Sequence, residues 1–217
     1  MSELILPVLR ETKAWLNKKG IEVEASIGEP ATLNDVESFE SATGLKLPPS
    51  AVEFFCQQGN GVWFFWQQSD EVWGQLDIDP LEELAGKYRQ WLAYVSGFTG
   101  NPRSMDKCFD EPSLRQEAFN IWDRMKPWIP LITDGGGDGF CLDAITGKVV
   151  LHRGDWFEGV GEVRTPNGLV AGEDIPQFIR SWSRFCFRLP SSLWWGEFRD
   201  QEKITWDASK FDSRFTR

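Results

Sequence analysis

The run Thr133-Asp-Gly-Gly-Gly-Asp-Gly-Phe-Cys-Leu-Asp143 comes nearest, by residue type, to a site that does chemistry. Glycine-rich turns expose backbone N–H groups to anions, so one reading is a phosphate cradle. A P-loop follows its glycines with Lys and Ser or Thr; here Asp138, Gly139 and Phe140 follow, and two carboxylates inside the loop repel phosphate. A second reading is calcium, with Asp134, Asp138 and Asp143 as oxygen ligands. The EF-hand pattern needs acids at alternate positions and a closing Glu, and glycines occupy those places. The third reading is a structural turn. Gly135, Gly136 and Gly137 take backbone angles closed to other residues, while Asp134 and Asp138 bond local N–H groups. It fits the residues best.

Other reactive types are thinly spread. His152 is the only histidine, so nucleophilic catalysis by Ser or Cys would have to use it as base, and Leu151-His-Arg-Gly154 carries no motif. Cys56, Cys108, Cys141 and Cys186 stand far apart with no C-x-x-C pair, which points away from zinc. Any two of the 33 acids could meet in a cleft, but no motif places a catalytic pair. The residues therefore predict no catalytic centre, no metal and no cofactor. A hydrolase using acidic residues is the unsupported third choice. Leu4–Leu6 is too short for a signal-peptide core, and no apolar run approaches the ~18 residues of a membrane span. The expectation is a cytoplasmic protein whose cysteines are buried thiols.

Charge carries more information. The net charge of the 217 residues is −10. From Gly20 to Gly86 there are thirteen acids and one base, Lys46, while the remainder of the chain is near balance. Such a field repels nucleic acid and anionic lipid and attracts basic proteins; solubility alone is the competing use. Inside this region stand Trp63-Phe-Phe-Trp66 and Trp73. If the strand alternates, one ring of each neighbouring pair lies on an open face, where aromatic anchors among acids suit a protein interface. The bland alternative is packing beneath helices. The candidate partner-binding residues are Trp63, Trp66, Asp70, Glu71, Trp73, Asp77, Asp79, Glu82 and Glu83.

The elements that must position these residues follow from periodicity and caps. Residues 3–19 read as a helix ended by Gly20, and Ile21–Ile27 as a short strand with alternating acids. Thr32 to Asp35 has capping-box spacing, and Gly44 closes that helix. Ser50 to Glu53 repeats the spacing and opens a helix through Gln58. Val62–Trp66 and Val72–Ile78 read as strands. Asp79-Pro80 starts a helix reaching Gly97, and Ser113 caps the next after a 98–112 loop. Trp128–Ile132, Gly139–Asp143 and Lys148–Arg153 form a meander, and a last helix spans about Ile175 to Phe187. Without βαβ alternation the fold class is α+β, a mostly antiparallel sheet packed against several helices, in a single domain over 1–217.

Together these landmarks resemble the SUKH superfamily of Smi–Knr type proteins. The carrying residues are Val36-Glu-Ser-Phe-Glu40, Thr43-Gly-Leu-Lys-Leu-Pro-Pro-Ser50, Phe54-Phe55 running to Asn60-Gly61, Trp128-Ile-Pro130, the glycine-rich run, Thr146-Gly147 and the helix around Phe178. The resemblance covers 32–187, leaving the N-terminal helix and a Trp-rich extension over 188–217 outside. It implies an α+β fold with an antiparallel sheet and no known catalytic centre. It also implies either of two roles: toxin neutralisation, as thought for many bacterial members, or a regulatory adaptor, as in the fungal cell-wall regulators. The acidic stretch favours the first, with a basic toxin domain, such as a nuclease, as partner.

Overall fold

The computed structural model describes residues 5–99, 111–133, 138–153, 167–188, 202–207, 209 and 213–217. The chain begins with α1 (Ile5–Asn17), whose buried stripe is Ile5, Leu9, Thr12 and Leu16, and Gly20 then takes a left-handed angle into β1 (Val23–Ile27). Thr32 and Asp35 form the reciprocal capping box that starts α2 (Leu33–Thr43), and Gly44 at φ 72° ends it. Next come α3 (Pro49–Gln57), β2 (Val62–Ser69), β3 (Val72–Ile78) and α4 (Leu81–Thr99). The second half carries α5 (Pro112–Met125), β4 (Trp128–Thr133), β5 (Gly139–Asp143), β6 (Val149–His152), β7 (Val170–Gly172) and α6 (Ile175–Ser183). This is an α+β protein.

Two antiparallel sheets replace the single sheet expected from sequence: β1-β2-β3 and β4-β5-β6-β7. In the first, Val23, Val62, Phe64, Trp66, Leu76 and Ile78 point into the main core. The second sheet is sandwiched. One face gives Phe140, Leu142, Val149 and Leu151 to that core, where Phe140 lies 4.7 Å from the Phe178 ring and 5.3 Å from Trp182 of α6. The other face gives Trp128, Cys141 and Val150 to a smaller cluster with Val95, Ala118, Ile121, Trp122 and Met125. No helix among the described residues is long and apolar enough to cross a membrane.

Several boundaries differ from the sequence reading, each for a local reason. Ser50 does not cap α3: Pro48 is the N-cap and Pro49, with its preset φ, is the first helical residue. The same substitution occurs at α5, where Glu111 and Pro112 take the places expected of Ser113. At α4 the first amide, that of Leu81, donates to the Asn60 side chain at 2.8 Å, so the cap comes from 21 residues upstream and not from Asp79. β7 is three residues long and has no alternation to betray it. Helix α6 stops at Ser183, and Cys186 and Phe187 then adopt positive φ of 52° and 58°.

Candidate protein-binding surface on the first sheet

The described end of the glycine-rich run is tied into the fold. Asp134, Gly135, Gly136 and Gly137 lie outside the described residues. Asp138 pairs with the guanidinium of Arg153 at 3.1 Å, and Gly139 lets β5 approach β4 so closely that a Cβ would meet the Ile132 carbonyl at 2.1 Å. Asp143 accepts from the Ile145 amide at 3.0 Å and the Thr146 hydroxyl at 2.7 Å, so both its oxygens hold the next turn. No group of three potential metal ligands occurs among the described residues.

His152 is buried in β6 with its ring edge-on to Trp91 at 4.7 Å. Cys141 and Cys186 are buried and Cys56 is half-buried; burial pushes all three thiols up, Cys186 to about 12. Thiols held so far from ionisation are weak nucleophiles. Cys108 lies outside the described residues.

The first sheet assembles a different kind of surface. Its register sets Trp63 between Ser26 and Asp77, Phe65 between Glu24 and Gln75, and Gln67 opposite Trp73. Because side chains alternate, these eight residues share the face turned away from the core. Trp63, Phe65 and Trp73 are half-buried there, and the Trp63 and Phe65 rings stack 6.0 Å apart at 25°. Trp66 has the opposite parity and is 1% exposed. Its indole N–H donates to the Cys186 carbonyl at 2.7 Å and its ring stacks on Phe215 at 4.9 Å, so it is core and drops out of the candidate surface. A period of two decides this, since a strand cannot present Trp63 and Trp66 to the same side.

The acids divide by position. Asp70 and Glu71 are exposed at the β2–β3 turn. Asp77 is half-buried, and burial, then repulsion by Asp79, raises its carboxyl above the usual range. Asp79 pairs with Lys87. Glu82 and Glu83 are exposed in the first turn of α4, where the helix dipole favours negative charge, so those two have a local use as well. Sequence reasoning missed Glu22, Glu24 and Phe65. The last two join the open face, and with Lys13, Asn17, Val23, Trp66 and Gln67 all three line a groove of about 430 Å³ at its α1 end. The alternation Ile21-Glu-Val-Glu24 held the signal, but the pairing of β1 beside β2 was needed to use it.

The residues that carried the family resemblance sit elsewhere and act as joints. Glu40 accepts the Leu47 amide at 3.0 Å and pairs with Lys46, tying α2 to the chain that enters α3. Gly147, at φ 77°, brings the β5–β6 turn against Pro48 and Ser50, where a Cβ would lie 3.3 Å from the Ser50 hydroxyl. Asn60 caps α4, and its carbonyl passes so near Gly28 that a Cβ there would come within 2.2 Å. A search of curated proteins finds no match to the chain. A family model, SMI1 / KNR4 family (SUKH-1), matches residues 30–167 and so takes in Glu40, Leu47, Asn60, Leu81 and Gly147 of these joints. With more than half of its length matched, the chain belongs to the SMI1 / KNR4 family (SUKH-1).

Proposed function

We propose that this chain is a non-enzymatic protein-binding module that acts in the cytoplasm as an immunity protein, neutralising a basic toxin domain, with the outer face of the first sheet as its interface. The observation that carries the reading is the grouping of Trp63, Phe65 and Trp73 on one open face with Glu24 and Asp77 beside them and Asp70 and Glu71 at its end. Rigid rings at the centre supply apolar area at low entropic cost, and the acids around them steer a cationic partner. Family membership agrees with this role and equally with a regulatory adaptor. The raised thiols and the lone buried histidine favour binding over catalysis.

The test is protection. Each open reading frame flanking this gene is expressed alone and with this chain, and cell survival and complex formation are measured. Survival that depends on this chain, and is lost with Trp63→Ala plus Trp73→Ala, supports the reading. A complex without protection would transfer the chain to the adaptor class. Protection unaffected by both substitutions would remove the interface from this face.

A further inference from the structure

Three of the edges in the two sheets can be compared, and they are treated differently. The outer edge of β3 is occupied by its own chain: the Gln75 amide donates to the Phe187 carbonyl at 3.0 Å, and Gly74 leaves room for the Cys186 carbonyl. The edge of β7 is likewise paired, Val170 bonding Glu202 and Ile204 through backbone groups at 3.0 and 2.8 Å. Among the described residues, no backbone group pairs the outer edge of β1. Glu24, Ala25 and Ser26 are all exposed, although Ala25 has the parity of the core-facing Val23, so no described helix or loop covers the middle of this strand.

The strand is guarded only by its acids. Exposed edges are blunted by lysine, proline or a bulge that twists the strand away. β1 contains none of these, and its five pairs with β2 run without a register shift. What stands here is Glu24 within the strand and Glu22 just before it, which make no ion pair with any described residue. Two such strands from separate copies would set glutamates near each other, which disfavours self-pairing, whereas a cationic strand would be welcomed. The groove beside the edge holds Glu22, Glu24 and the Phe65 ring together with one base, Lys13, so its lining stays net acidic and suits a guanidinium through charge and ring stacking at once.

We propose that the basic partner docks by adding a strand to the outer edge of β1, with alternate arginine side chains lying along Glu22, Glu24 and Phe65. This rests on the protein-binding reading above and specifies how the partner is held: backbone hydrogen bonds extend the first sheet to four strands, and charge selects the strand that is accepted. The β1 strand precedes residue 30 and so lies outside the family match.

The probe is a capped heptapeptide of alternating arginine and threonine, compared with the same peptide N-methylated at every second residue and with a glutamate–threonine analogue. Binding is followed by calorimetry, and amide hydrogen exchange is read over residues 21–28. The parent peptide is expected to bind and to slow exchange at alternate amides of 23–27. N-methylation should abolish both effects, and the acidic analogue should not bind. Glu22→Lys with Glu24→Lys should weaken binding by about tenfold while the melting temperature holds, since the substituted positions are solvent-exposed. Equal binding of the N-methylated peptide, or no slowing at 23–27, overturns strand addition. Protection from the toxin that persists with Trp63 and Trp73 still required would show that the protein-binding reading survives that failure.

Discussion

Asn60→Ala tests whether the family's Asn60-Gly61 signature is a structural joint. The Asn60 side-chain oxygen accepts the Leu81 amide at 2.8 Å, its own amide donates to the Glu29 carbonyl at 3.2 Å, and its carbonyl crosses Gly28 with no space for a Cβ. Gly61 follows at φ 106° with Pro80 against it, so the chain enters β2 and the start of α4 at one point. Removing the oxygen deletes a helix cap, which costs about 1 kcal/mol within a range of about 0.5–2. The same loss can be viewed as a partly buried N–H left without an acceptor, about 1–3 kcal/mol. The two figures describe one bond and are not added, so about 1–2 kcal/mol is expected. For a chain of this size that lowers the melting temperature by about 2–8 °C. Asn60→Asp keeps an acceptor at the helix N-terminus but adds charge to a groove that Asp35 and Glu82 also line, so it should recover part of the loss. Calorimetry and urea unfolding followed by tryptophan fluorescence give both values. If the Ala variant melts with the parent, or the Asp variant falls as far as Ala, the cap is not what Asn60 contributes and the signature needs another explanation.

Trp66→Phe should destabilise the fold by about 1–3 kcal/mol in urea unfolding, because it orphans the Cys186 carbonyl that the indole now satisfies. Gly74→Ala should be at least as costly, since its Cβ would sit 2.3 Å from that carbonyl and 2.5 Å from the indole nitrogen; a soluble variant with an unshifted midpoint would mean the β3 edge yields easily. Asp77 gives a pH signature. Its carboxyl is raised in the folded chain by burial and then by Asp79, so the folded state holds the proton more tightly than the unfolded one. Its contribution to stability is therefore greatest below the ordinary value of 3.8 and is lost as pH rises through the raised folded value. Asp77→Asn should flatten the stability profile across that window and melt above the parent at neutral pH; a variant that melts lower there would contradict the stated causes.

Much of this architecture was legible because it is written in local chemistry. The Thr32–Asp35 box, the Gly44 stop, the aromatic strands and the β5–β6 turn each need only a few adjacent residues, and each stands where periodicity placed it. What escaped depends on partners distant in sequence. Asn60 caps a helix 21 residues on, and Phe215 covers Trp66 from the far end of the chain. The face of the first sheet shows both limits together. Alternation alone says that Trp63 and Trp66 oppose each other, but only the core beneath Phe64 and the contacts to Cys186 and Phe215 decide which of them is inside. Acid content alone marked the region as an interface. Geometry then separates Asp79, held by Lys87, and Glu82 and Glu83, placed at a helix start, from Glu22 and Glu24, which serve no described neighbour. Charges that the fold itself does not use lower its stability by self-repulsion. They gather at a sheet edge that no described residue pairs, and that coincidence of unspent charge with unpaired backbone is what sets β1 apart from the rest of the acidic surface.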